Sequence, residues 1–65
     1  MTQQQDTGLV KASKVAEFLD TTPGRLAKMR MDGDGPPFVK LGRSVRYRWS
    51  DVHRWVDANV TGGAT

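Results

Sequence analysis

The stretch Leu41-Gly-Arg-Ser-Val-Arg-Tyr-Arg-Trp-Ser50 decides how this chain is read. It holds three arginines, two aromatic residues and no acid. From Val45 to Trp49 apolar or aromatic residues alternate with basic ones. In a strand, that pattern puts Val45, Tyr47 and Trp49 on one face and Arg46 and Arg48 on the other. A half-buried strand with a solvated outer face and a strand whose arginines grip a polyanion share this alternation. The rest of the chain has to separate them.

Upstream, Phe38-Val-Lys-Leu41 reads as a partner strand, joined to Val45–Arg48 across Gly42-Arg43-Ser44, a three-residue hairpin loop containing glycine. Downstream, Ser50 is placed to cap a helix, with Asp51 near its positive N-terminal end and Val52, Trp55 and Val56 as the inward face. Further back, Asp32-Gly-Asp-Gly-Pro-Pro37 is a turn-forming run that excludes regular structure. Before it, Thr22-Pro23 supplies a threonine cap and a first-turn proline for a helix that Gly33 ends, with Leu26 and Met29 inward. Ala12, Val15, Ala16 and Leu19 fall at helical spacing, and Phe18 widens their stripe, which predicts a first helix over about 11–19 started by Lys11 or Ser13. Asp20-Thr21 is the break between the two helices. The order helix, turn, helix, β-hairpin, helix predicts a mostly α chain with a small β-hairpin, a winged helix-turn-helix. Residues 1–8 and 60–65 read as flexible tails around one domain at 9–59.

Sixty-five residues make a single domain that buries only about 60% of its unfolded surface. With no cysteine there is neither a disulfide framework nor a cysteine zinc site. No apolar run reaches the roughly 20 residues of a membrane span, and Met1-Thr-Gln-Gln-Gln-Asp-Thr7 is unlike a signal peptide, so a cytoplasmic location and no membrane partner are expected. Asn59-Val60-Thr61 formally matches a glycosylation sequon, inert without secretion. The net charge is +3 and unevenly spread. Residues 25–48 carry seven basic side chains and two acids, a net +5, while the remainder is net −2. That asymmetry suits a polyanion, nucleic acid first, although a solvated basic face has the same composition.

An enzyme is excluded on inventory. His53 is the only histidine, so no metal site forms around it, and a surface or capping role is expected. Tyr47 between arginines has the look of a recombinase nucleophile, but it lies on the apolar face of its strand and the chain is too short for such an active site. The serines are explained as caps and turn residues. Tyr47, Trp49 and Trp55 are core residues rather than stacking platforms for single strands. Neither cofactor nor metal is expected.

Val15-Ala-Glu-Phe-Leu19, Thr22 opening a second helix, Gly35-Pro-Pro-Phe-Val-Lys-Leu-Gly-Arg43, Val45-Arg-Tyr-Arg48, Ser50-Asp-Val52 and Trp55 together resemble the excisionase-type, MerR-related winged-helix domains. The likeness covers about residues 9–58. Its most specific part is the Pro36-Pro37-Phe38 approach to a basic hairpin followed by the Ser50-Asp51 helix start. Met29 stands where relatives often carry an aromatic residue, Lys11 where a small hydroxyl cap is usual, and Asp20 in place of a frequent glycine. Single-domain members are often phage excisionases, or recombination directionality factors. The resemblance implies a protein that binds repeated sites in attachment DNA beside other copies of itself, bends that DNA, and turns a partner integrase towards excision.

The second helix of such a motif enters the major groove. Arg25 is then the first choice for reading a base, because arginine pairs bidentately with guanine. Lys28 suits a phosphate or adjacent base, and Thr22 a phosphate in addition to its cap. Arg30, nearer the buried side, suits either a phosphate or an internal ion pair. Asp32 should face away from DNA. In the hairpin, Arg43 and Ser44 form the tip, Arg46 and Arg48 a DNA-facing side, and Lys40 flanks them, a shape suited to the minor groove or adjoining backbone. Two other functions fit the same surface: a small transcriptional regulator, and an adaptor docking an acidic protein. Few residues follow the start of the last helix, which leaves no room for a dimerisation coil and favours side-by-side binding along DNA.

Overall fold

A strand that is apolar on one side and cationic on the other needs a neighbour at each edge and helices over its apolar face. The computed structural model, which describes residues 8–62, supplies both. The elements are β1 (Leu9–Lys11), α1 (Ala12–Phe18), α2 (Pro23–Asp32), β2 (Val39–Leu41), β3 (Ser44–Arg48) and α3 (Trp49–Ala58). The strands form one antiparallel sheet in the order β1-β3-β2, with β3 central. The architecture is therefore mixed α/β, three helices and a three-stranded sheet, rather than mostly α with an isolated hairpin. Of the expected tails at 1–8 and 60–65, residues 1–7 and 63–65 lie outside the described residues. Among those described, no helix is long and apolar enough to cross a membrane.

β1 is the addition that periodicity does not disclose. Its three residues run straight into α1, so Leu9-Val-Lys11 is too short to alternate visibly. Val10 pairs with Tyr47, Leu9 with Arg48 and Lys11 with Arg46. The first helix consequently begins at Ala12, and Lys11 occupies its cap position in extended conformation with no side-chain cap bond. Ser13 lies inside the helix and does not cap it.

The hairpin is tighter than expected. Leu41 pairs directly with Ser44, which leaves a two-residue loop, Gly42-Arg43. Only the first of these takes a positive φ (63°), the pattern of a type II′ turn, whose twist matches that of the strands it joins. Ser44 is thus a strand residue, and Phe38 precedes β2. The third helix starts two residues early: Trp49 is already helical and Arg48 holds the cap position without a side-chain cap bond. Ser50 falls within the first turn, so it is not the cap. Asp51 does occupy that turn.

The core is Val15 and Ala16 from α1, Leu26 from α2, Tyr47 from β3 and Val52 from α3, all buried. Val10, Ala12, Leu19, Met29, Val45 and Trp49 pack around it. Phe18 does not join it. It is 48% exposed and meets Trp49 and His53 edge-on, with ring centroids 5.3 and 5.1 Å apart.

Helices α1 and α2 end in the same way. In α1, the amide of Thr21 donates to the carbonyl of Ala16 (2.8 Å) and that of Asp20 to Glu17 (3.1 Å). In α2, the amide of Asp34 donates to Met29 (2.9 Å) and that of Gly33 to Arg30 (3.2 Å). Each is a Schellman closure requiring one left-handed residue. Gly33 (φ 78°) takes that conformation without strain, whereas Asp20 (φ 57°) does so with a Cβ in the way. Asp20→Gly should therefore stabilise the fold by about 1 kcal/mol, raising the thermal midpoint by roughly 4–8 °C; an unchanged midpoint would show Asp20 to be compensated locally.

Candidate nucleic-acid interface

α2 is built by local rules. Thr22 accepts a hydrogen bond at Oγ1 from the amide of Arg25 (3.1 Å), and Pro23 occupies the first turn. Leu26 is buried while Met29 and Arg30 are half-buried, which turns Gly24, Lys28 and Met31 outward. Arg25 lies on a flank. It borders an open groove of about 440 Å³ lined by Leu19, Asp20, Thr21, Met29 and Trp55. The far side of that groove is held by Trp55, whose indole N–H donates to the carbonyl of Asp34 (3.1 Å) and so ties α3 to the connection after α2.

The seven basic residues between positions 25 and 48 fall into distinct environments. Arg30 is committed internally. Its Nη1 donates to the Tyr47 hydroxyl (3.3 Å), and its guanidinium stacks over Phe38, 5.5 Å from the ring centre. The internal ion pair anticipated as one of its two roles is not what forms: the partner is a phenol and an aromatic face, not a carboxylate. Arg48 donates from Nε to Asp51 Oδ2 (2.9 Å), with Arg54 on the other carboxylate oxygen at 3.7 Å. The Asp51 side chain is only 11% exposed, so these contacts hold a largely buried carboxylate at the start of α3. Arg48 thereby closes that helix start, although its own side chain remains half open to solvent.

Lys28 contacts Asp32 at 3.3 Å in an exposed i, i+4 pair, worth only a few tenths of a kcal/mol. Asp32 consequently does not turn away from the cationic face; it sits beside Lys28. Arg25, Lys40, Arg43 and Arg46 have no carboxylate within ion-pair distance among the described residues. Among the described residues, Arg46 donates to the neighbouring carbonyl of Val45 (2.9 Å).

The sheet register divides the hairpin cations between two faces. Lys40 lies opposite Val45, on the same face as Tyr47. Arg46 lies opposite both Val39 and Lys11, on the other face, which it shares with Arg48, Leu9, Leu41 and Ser44. Lys40 and Arg46 are thus not neighbours on one surface, and Arg43 at the turn links the two. Lys11 was missed as a member of this group because β1 itself is not legible. The like-charged Lys11–Arg46 pair stands directly across the strands, an arrangement that disfavours the sheet by itself.

Among the described residues, no group of three or more His, Cys, Asp or Glu side chains gathers to hold a metal ion. His53 is exposed and sits against Phe18 and Trp49. No known protein family matches this sequence, and no curated protein matches it.

These environments separate structural from available cations. Arg30→Ala should lower unfolding stability by about 1–3 kcal/mol through the lost hydrogen bond and stacking. Arg25→Ala should change it by no more than about 0.5 kcal/mol. Urea titration of the two variants measures both, and equal effects would contradict the division.

Proposed function

We propose that the chain is a winged helix-turn-helix module that binds double-stranded DNA in a sequence-dependent way and bends it, acting as a phage excisionase that directs a partner integrase towards excision. α1 and α2 are the helix-turn-helix, α2 the recognition helix and the β2–β3 hairpin the wing. The observation that carries this reading is the set of cations left without carboxylate partners among the described residues: Arg25 at the start of α2, and Lys40, Arg43 and Arg46 along the hairpin. A protein of this size gains nothing from holding four uncompensated cations on adjoining elements, with a fifth, Lys11, facing Arg46. A polyanion neutralises them, and counterion release then drives association.

In this arrangement α2 enters the major groove with Arg25 near base edges, while Thr22 and Lys28 meet phosphates or an adjacent base. Arg43 at the turn reaches the minor groove or its backbone. Arg46, with Lys11, extends the phosphate contact, and Lys40 adds to it from the opposite face. Arg30 and Arg48 act from behind: they hold α2 and the start of α3 against the sheet, and only the exposed part of Arg48 reaches outward. The excisionase assignment rests on the residue resemblance over positions 9–58, and it adds an integrase and further copies of this chain as partners on repeated attachment-site DNA.

Arg25→Ala should cost about 1–3 kcal/mol on a selected duplex and relax its sequence preference. Arg46→Ala should weaken binding to all sequences about evenly and reduce the salt slope by about 1. Fluorescence anisotropy at several salt concentrations reads both. A slope near zero for the unmodified protein would replace DNA with an acidic protein partner. Excision in vitro with an integrase from the same phage tests the biological role: stimulation is expected, and its absence alongside tight, specific binding would favour a transcriptional regulator.

A further inference from the structure

The outward face of α2 carries one side chain that neither folding nor charge accounts for. Gly24, Lys28 and Met31 are spaced i, i+4 and i+7, so they lie along one line of the helix. All three are exposed, whereas Leu26 on the opposite side is fully buried. Met31 is 85% exposed, against 42–63% for Leu9, Phe18, Phe38, Leu41 and Val60. Burial therefore contributes almost nothing to its place in the fold. Nothing crowds this face either: a Cβ added at Gly24 would meet only Thr22 Oγ1, at 4.0 Å. The one ammonium on the line, that of Lys28, is drawn to Asp32, which leaves a polarizable thioether as its free apolar group.

We infer that Met31 is a specificity-determining residue that reads the 5-methyl group of a thymine in the major groove. This rests on the DNA-binding reading of α2. Major-groove edges are mostly hydrogen-bonding groups, and the thymine methyl is their one apolar feature, recognised by apolar contact. A flexible thioether side chain adapts to such a target without needing a fixed rotamer. Met31 lies six positions beyond Arg25, about 9 Å of helix rise further along α2. The thymine read by Met31 therefore belongs to a different base pair from the base read by Arg25.

The test uses duplexes selected by the protein from a random, unmethylated synthetic pool, so that only thymine supplies a methyl group. Each thymine in turn is replaced by uracil, which removes that methyl and leaves the hydrogen-bonding pattern intact. For the unmodified protein, one position should lose about fourfold in affinity, the effect of one buried methyl. Met31→Ala should bind the thymine duplex with a similar loss and become indifferent to the methyl at that position only. Met31→Leu should retain the sensitivity. Because the side chain is exposed, thermal melting should show all three proteins equally folded. If unmodified protein and Met31→Ala respond alike to every uracil, the inference is overturned while the DNA reading stands. If the unmodified protein fails to prefer any duplex over the random pool, both are overturned.

Discussion

Tyr47 has to be buried with its hydroxyl satisfied, and the way the chain meets that requirement sets the geometry of everything around it. The ring is the largest member of a five-residue core drawn from α1, α2, α3 and the central strand. A phenol in that position needs a polar partner at its rim. Arg30 provides it from α2, and Phe38, just before β2, covers the guanidinium. One hydrogen bond thus joins the helix to the sheet and fixes which side of α2 faces inward. With Leu26 and Arg30 turned to the core, Gly24, Lys28 and Met31 have no choice but to face out. An arginine that resembles a DNA contact in the sequence instead orients the residues that are free to make one.

The same economy governs the start of α3. A helix whose cap position is an arginine has no side-chain acceptor for its first amides, and Ser50 comes too late to supply one. Asp51 in the first turn places negative charge near the positive end of the helix. Its burial is tolerable because Arg48 and Arg54 flank the carboxylate. Arg48 therefore links the last residue of β3 to the first turn of α3. The end of the hairpin strand and the first turn of the helix that follows it are thereby pinned to one another.

What was legible in the sequence follows the range of the interactions involved. The Thr22-Pro23 start and Gly33 end of α2 are local chemistry, and they stand where the residue types place them. So does the hairpin, to within one residue of loop. β1 was not legible because its only rationale is tertiary: three residues become a strand because Tyr47 and Arg46 lie alongside. The division of Lys40 from Arg46 was likewise hidden, since it depends on a register set by a two-residue rather than a three-residue loop. Arg48 reads as an outward cation, and Arg30 as either a phosphate contact or half of an internal ion pair, because a sequence displays charge but not the carboxylate or phenol that engages it.

Charge placement and stability are then not independent. A domain of this size has stability on the order of 3–10 kcal/mol, and cross-strand like charges detract by a few tenths to 1 kcal/mol. Lys11 opposite Arg46 is therefore a measurable fraction of the whole. Neither residue reaches a carboxylate among the described residues, although the same chain neutralises Arg48 and Lys28 with acids three and four positions away. At the start of α3 charge is matched against a largely buried carboxylate, whereas across the hairpin and at the start of α2 it is left open among the described residues. Among the described residues no acid compensates those open charges, so water and mobile counterions screen them unless an anionic partner displaces those ions.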